Sequence, residues 1–267
     1  MKQSKHIEKA FLFDIDGVLT EPFSRQVNQN VINSITRLLK SGYSVCLFSG
    51  RDQSWVEQRV LPRFDSSDSS VFDLFFLSFE YGGVNCMFKN GLLLTTVDKE
   101  VIISLEIKNK ARDLVRGSQD AFFDEKKKTM ATLEMYEASN PEEAAIKSKG
   151  VDELYEKAKK LIADRPYLKA YRTTLDVDIL HEKASKGKCA SDFLNFLNEK
   201  GLFPKEFDVF GDSPTDIEAA EELYKRGLAV KFYYLGEREI SDVDFEVIRP
   251  KGDFYDIAAE SILSQIK

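Results

Sequence analysis

The run Ala10-Phe11-Leu12-Phe13 is apolar throughout and stops at Asp14-Ile15-Asp16-Gly17. A short, uninterrupted apolar run reads as a strand covered on both faces, the signature of a parallel sheet. Carboxylates at its carboxyl end fall where open α/β sheets place their ligand crevices. Asp14 and Asp16 repel one another there and lose solvation unless a cation lies close by. The donors are oxygens, with no histidine or cysteine beside them, so the cation they suit is a hard one such as Mg²⁺. Gly17 lets the chain turn sharply away. Taken alone, the segment also reads as a turn with two solvated acids.

Three further segments follow the same plan. The strand-like stretch 43–48 ends in Ser49-Gly50-Arg51, and a polar loop delivers Ser185-Lys186-Gly187 ahead of the helix-like stretch 188–200. The strand-like stretch 207–210 ends in Gly211-Asp212-Ser213-Pro214-Thr215-Asp216. The ordered set D-x-D-G, S-G-R, K-G and G-D-x-x-x-D resembles the haloacid dehalogenase superfamily of phosphatases, and the likeness spans nearly the whole chain. It implies a Mg²⁺-dependent phosphohydrolase with Asp14 as nucleophile and Asp16 as general acid and base, the backbone carbonyl of Asp16 also reaching the metal. Asp212 would be the other carboxylate on Mg²⁺. Asp216 would hold metal-bound water or orient Lys186, and Lys186 would set its charge against the transferring group. Ser49, through its hydroxyl, and Gly50, through its N–H, would bind the phosphoryl group.

Each residue also has a plainer reading. Ser49 could cap the helix that begins near Asp52, and Asp216 could complement a helix dipole. Arg51, a candidate substrate contact, could equally sit on the surface or support a neighbour. Lys188 competes with Lys186, and the spacing Ser-Lys-Gly favours Lys186. Trp55 reads as a packing residue. His6 and His181 have no partner pattern.

Hydrophobic periodicity organises the rest. A helical stripe over 30–40, a strand over 43–48, a helix over 52–61, an exposed loop over 62–70 and a strand over 71–77 follow the first strand, giving β-α-β-α-β. The texture changes at Glu80-Tyr81-Gly82-Gly83. The segments 84–88 and 92–97 flank Lys89-Asn90-Gly91 as a hairpin. Helices over 99–116 and 151–163 and strands over 129–136, 168–171 and 175–180 form a small α/β layer. Alternation then resumes to the end of the chain. The predicted fold is α/β: a doubly wound parallel-sheet core, residues 1–83 and 181–267, with an inserted smaller α/β domain, 84–180.

An insert at this position is similar to the type IIB cap of the superfamily, a branch rich in sugar-phosphate phosphatases. The stretch from Phe122 to Tyr136 resembles a cap strand of trehalose-phosphate phosphatases. Those caps carry His-Tyr-Arg where this chain has Met135-Tyr136-Glu137, a glutamate in place of a cation. Lys126, Lys127, Lys128 and Arg172 are candidates for reading the substrate, with Lys128 and Arg172 foremost; each also reads as a solvated surface cation.

Composition narrows the function classes. The net charge of −7 in 267 residues argues against a nucleic-acid binder, which needs a basic face. No apolar run approaches a membrane span, and the start of the chain lacks the apolar core of a signal peptide. Three widely spaced cysteines read as thiols of a reducing, cytoplasmic setting. The expected partner is a small phosphorylated metabolite, and the expected state is a monomer or weak homodimer. A phosphomutase of the phosphomannomutase type and a non-catalytic binding protein retaining the fold are the alternatives.

Overall fold

The computed structural model describes residues 8–65, 69–136, 141–173 and 175–266. His6, Glu137 and the middle of the 62–70 loop lie outside them. The chain runs β1 (Lys9–Asp14), α1 (Gln29–Lys40), β2 (Ser44–Phe48), α2 (Gln53–Arg59), β3 (Phe75–Phe79), β4 (Val84–Lys89) and β5 (Leu92–Val97). Next come α3 (Leu105–Leu114), β6 (Ala121–Phe123), β7 (Ala131–Met135), α4 (Pro141–Leu161), β8 (Leu168–Arg172) and β9 (Asp176–His181). It closes with α5 (Lys186–Glu199), β10 (Glu206–Gly211), α6 (Ile217–Lys225), β11 (Ala229–Tyr234), β12 (Glu246–Ile248) and α7 (Tyr255–Gln265).

Eight strands form one sheet in the order β12-β11-β10-β1-β2-β3-β4-β5. From β12 to β3 every pairing is parallel. The chain leaves β1 toward β2 and β3, then returns to build β10, β11 and β12 on the other side. The strand order therefore reverses between β1 and β10, and that switch point is where doubly wound sheets open a crevice at their carboxyl ends. The predicted Rossmann-like core is the observed one.

Both faces of the inner strands are filled. Leu12, Cys46, Phe48, Val209 and Phe232 pack with Cys189, Phe193 and Leu223 from α5 and α6. On the opposite face, in-register Phe13, Phe210 and Tyr233 stack at ring separations of 4.7 and 4.3 Å. This aromatic row lies one residue below Asp14 and stiffens the strand end that carries it.

Two compact units emerge. One comprises the chain up to Thr96 and from Ser185 on; the other is Val97–Ala184. The sequence placed the insert at 84–180, and the structure corrects its first boundary. β4 pairs antiparallel with β3, Phe76 against Met87 and Phe79 against Val84, so the hairpin extends the large sheet. A turn rich in glycine reverses a chain as readily as it ends a domain. The strand expected over 71–77 is also shifted: Ser69–Leu74 is a 3₁₀ segment and β3 starts at Phe75.

The smaller unit is a four-stranded antiparallel sheet, β6-β7-β9-β8, with α3 and α4 packed on it. Its strands alternate cleanly. Leu133, Val177 and Ile179 are fully buried, whereas Thr132 and Asp178, facing the other way, are joined by a 2.6 Å hydrogen bond.

Candidate active site

Asp14 ends β1 and Asp212 follows β10, so the two neighbouring strands carry their carboxylates to the switch point. Asp14, Asp212 and Asp216 each offer a carboxylate oxygen, and these oxygens lie within 4.8 Å of one another. Gly17 makes the approach possible. A Cβ on it would lie 2.3 Å from Asp212 Oδ2, and its φ of +74° is the left-handed conformation that glycine tolerates.

Lys186 is the cation of the cluster. Only 5% exposed at the start of α5, it sets Nζ 3.1 Å from Asp14 Oδ1 and also pairs with Asp216 Oδ1. Lys188 turns instead to Asp192, at 3.0 Å. Burial alone would lower the Lys186 pKa; the carboxylates of Asp14 and Asp216 outweigh it and hold the ammonium well above its usual range. Asp14 moves the other way from an ordinary carboxylate: burial, then the charge of Asp216, pushes its pKa far up against the pull of Lys186. Burial and Asp216 likewise push Asp212 up to about 8.

These shifts come first from burial and then from carboxylate charge that one ammonium does not offset. Three carboxylates meet one ammonium, and Asp14 Oδ1, although near Lys186, accepts no well-directed hydrogen bond. An all-oxygen donor set with an unsatisfied buried oxygen fits a hard divalent cation. Asp14 and Asp212 have oxygens to give it. Asp216 is already engaged: Oδ1 takes Lys186, and Oδ2 accepts from Asp212 N, Ser213 N and Ser213 Oγ at 3.0, 2.8 and 2.9 Å.

Asp16 stands apart from the cluster. Its carboxylate receives both Arg51 Nε and an Arg51 terminal nitrogen at 2.9 Å. Burial pushes the Asp16 pKa up, but the charge and hydrogen bond of Arg51 prevail and leave it lowered. Arg51, expected to contact substrate, thus spends its guanidinium on Asp16; Trp55 backs it, with the guanidinium 4.9 Å from the ring centroid.

Ser49 is not a helix cap. Asp52 fills that role for α2, accepting from Trp55 N at 3.0 Å, while Ser49 Oγ accepts from Arg51 N at 3.0 Å within a tight loop. That loop leans on residues the sequence did not single out. Glu80 and Tyr81 are buried and both adopt left-handed backbone, with φ of 51° and 56°. Glu80 N donates to Arg51 O, Tyr81 N to Ser49 O, and Ser185 N to Tyr81 O. One strained pair therefore ties the Ser49 loop to the start of the Lys186 helix. The visible signal was the break in pattern at Gly82-Gly83. Arg25 was also passed over as a site residue; it is 5% exposed, has φ of 56°, and lowers the Asp16 pKa.

In the smaller unit, Arg172 belongs to the helix-covered face. Its guanidinium binds Asp152 at 2.8 Å, Ser148 Oγ at 2.6 Å and Thr173 O at 2.8 Å. The expectation that it reads substrate is corrected: strand alternation turns position 172 toward α4, where the arginine holds the helix to β8. Lys128 is exposed, and its carbonyl accepts from Lys108 Nζ at 2.8 Å, whereas Lys127 is buried. Cys46, Cys86 and Cys189 are free thiols, all buried. No helix among the described residues is long and apolar enough to cross a membrane.

No protein-family model and no curated protein matches this chain. Solved structures do. The C-terminal domain of trehalose-6-phosphate phosphatase from C. albicans aligns over 97% of this chain and 92% of its own, at 14% identity and a TM-score of 0.68. Trehalose-6-phosphate phosphatase from Aspergillus fumigatus aligns over the same shares at 18% identity and a TM-score of 0.53. A haloacid dehalogenase-like hydrolase from Bacteroides thetaiotaomicron covers 97% of this chain and 99% of its own, at 11% identity and a TM-score of 0.62. At these identities the likeness establishes a shared fold alone.

Proposed function

We propose that the protein is a Mg²⁺-dependent phosphatase that hydrolyses a small phosphate monoester through an aspartyl-phosphate on Asp14. The observation that carries this reading is Asp14 itself: a buried carboxylate at the switch point, flanked by Lys186, with an unsatisfied oxygen beside Asp212. Asp14 and Asp212 would hold the ion, which when bound screens the incoming dianion and polarises its oxygens.

An Asp14 oxygen attacks phosphorus in line with the leaving oxygen, the P–O bond to the leaving group breaks, and that oxygen takes a proton from Asp16. Water then attacks phosphorus, Asp16 takes its proton, and inorganic phosphate leaves Asp14 regenerated. Arg51 keeps Asp16 ionised, which suits the second step. The arriving phosphoryl dianion raises the Asp16 pKa and favours the proton needed for the first. Lys186 opposes the charge gathering on the transferred group, and Asp216 orients Lys186. Ser49 Oγ and Gly50 N–H bind the phosphoryl oxygens, and Lys128 is kept as a candidate for reading the remainder of the substrate.

Likeness over 97% of the chain to a trehalose-6-phosphate phosphatase and to the C-terminal domain of another supports a sugar phosphate as substrate. The pairing of Asp14 with Asp212 argues against a binding protein that merely kept the fold, for which neither carboxylate would be needed. Release of inorganic phosphate from a panel of phosphate esters, with and without Mg²⁺, tests the reading. Asp14→Asn should abolish turnover by several orders of magnitude while the protein stays folded. Substantial activity in folded, non-deamidated Asp14→Asn, or activity indifferent to chelation, refutes it. Phosphoryl transfer between positions of one sugar without phosphate release would instead identify a phosphomutase.

A further inference from the structure

Val230, Phe232 and Tyr234 alternate along β11 and point into the layer formed by α5 and α6. The first two are apolar. The third brings a hydroxyl into the same layer, at the strand end nearest Asp212, paired in register with Gly211. Tyr234 is 0% exposed, and its hydroxyl has no hydrogen-bond partner. A buried donor without an acceptor is disfavoured, and phenylalanine would fill the space without that penalty.

The hydroxyl lies next to the loop 212–216. Two residues further on is Gly236. The point that a Gly236 Cβ would occupy lies 1.9 Å from the backbone carbonyl oxygen of Asp212 and 2.9 Å from the Tyr234 hydroxyl oxygen. Glycine at 236 therefore lets the Asp212 carbonyl and the Tyr234 phenol crowd the same point. On the far side of the loop, Asp216 already anchors the N–H groups of Asp212 and Ser213. Arg249 lies over the tyrosine ring, 5.0 Å from its centroid, and limits how the ring can turn.

We infer that Tyr234 is a positioning residue for the loop 212–216: its hydroxyl donates to the Asp212 backbone carbonyl when Asp212 is drawn onto a divalent cation. This rests on the metal reading above. The donor stands unpaired beside the loop, and the hydrogen bond forms as Asp212 settles on the ion. Part of the binding energy of the ion thereby comes from a residue that never touches it.

The test is Mn²⁺ titration, by calorimetry and by electron paramagnetic resonance, of the wild-type protein, Tyr234→Phe, Gly236→Ala and Asp212→Asn, with melting temperatures in chelator and in Mn²⁺. Tyr234→Phe should bind Mn²⁺ about two- to tenfold more weakly, the worth of one hydrogen bond. Its metal-free melting temperature should be unchanged or higher, because an unpaired buried hydroxyl has been removed. Gly236→Ala, whose Cβ would collide with the Asp212 carbonyl oxygen, should weaken Mn²⁺ binding at least as much. Wild-type affinity in Tyr234→Phe, with Asp212→Asn unable to bind, overturns this inference and leaves the metal reading standing. Equal loss of stability in chelator and in Mn²⁺ also overturns it, since that marks a purely structural tyrosine. A wild-type protein that takes up no Mn²⁺ overturns both.

Discussion

Asp16 and Arg172 are both held by ion pairs, one at the strand ends of the large sheet and one in the smaller unit. Arg51 clamps the Asp16 carboxylate with two 2.9 Å contacts and keeps its pKa low. Arg51→Ala should raise the Asp16 pKa, so the limb of the kcat/KM profile governed by Asp16 should move to higher pH, with kcat reduced. A profile of unchanged shape would show that Arg51 does not tune Asp16. Arg172 makes its hydrogen bonds to α4 and to Thr173, in part through the exposed Asp152. Arg172→Ala should destabilise the smaller unit by about 1 kcal/mol and leave KM for phosphate esters unaltered. Urea unfolding followed alongside steady-state kinetics separates the two effects, and a raised KM would restore Arg172 as a substrate contact.

The loops at the strand ends act through their backbones. Ser49 and Arg51 present their carbonyls to Tyr81 and Glu80, and the Tyr81 ring lies against Gly50. A Cβ at Gly50 would fall 2.9 Å from two carbons of that ring and from its hydroxyl oxygen. Two adjacent residues held at positive φ store strain, which persists only where packing and hydrogen bonds over-determine the loop. Gly50→Ala should push the Ser49 loop off the Tyr81 ring and lower kcat about 10- to 100-fold, the usual effect of a displacement near 1 Å. Mn²⁺ affinity should be unchanged, because Asp14 and Asp212 lie on other strands. Gly50→Ala with full activity would show that the loop adjusts freely. Sequence marked Ser49 and Gly50 by their place after an apolar strand. It could not mark Tyr81 as their support, because that contact depends on how β3 pairs with β2.

At the scale of the whole molecule, the carboxylate cluster should make stability depend on pH and, with the proposed ion bound, on metal as well. Asp14 and Asp212 have folded pKa values above the unfolded value of about 4, Asp212 at about 8. The folded state then holds protons that the unfolded state releases, so stability falls as pH rises from about 4 to about 8. Lys186, raised in the folded state, contributes below its unfolded pKa and loses that contribution only at far higher pH. Asp16, lowered, contributes above its own unfolded pKa and loses that contribution in acid. Neither cancels the slope. In chelator the melting temperature should therefore fall between pH 5 and 8, and the stabilisation by saturating Mg²⁺ should grow over the same range. A Mg²⁺ effect independent of pH would mean that the ion does not replace those protons.

Much of this was legible in the chain. Apolar runs ending in Asp14, Ser49 and Asp212, separated by helical stripes, specify parallel strands with functional groups at their carboxyl ends, because strand burial and side-chain alternation are local properties. The order of those runs also implied a doubly wound sheet. Lys186 could be preferred to Lys188 by spacing, but its contact with Asp14 is a tertiary fact. The hairpin 84–97 was read correctly as a hairpin and assigned to the wrong unit, since a turn sequence determines reversal and not the sheet that receives it. Arg172 was misjudged for a similar reason. Its charge is local, whereas the face it occupies follows from the register of β8 against β9 and the seating of α4. The unpaired hydroxyl of Tyr234 lay outside sequence reasoning altogether, because an unsatisfied donor is defined by what surrounds it after the chain has packed.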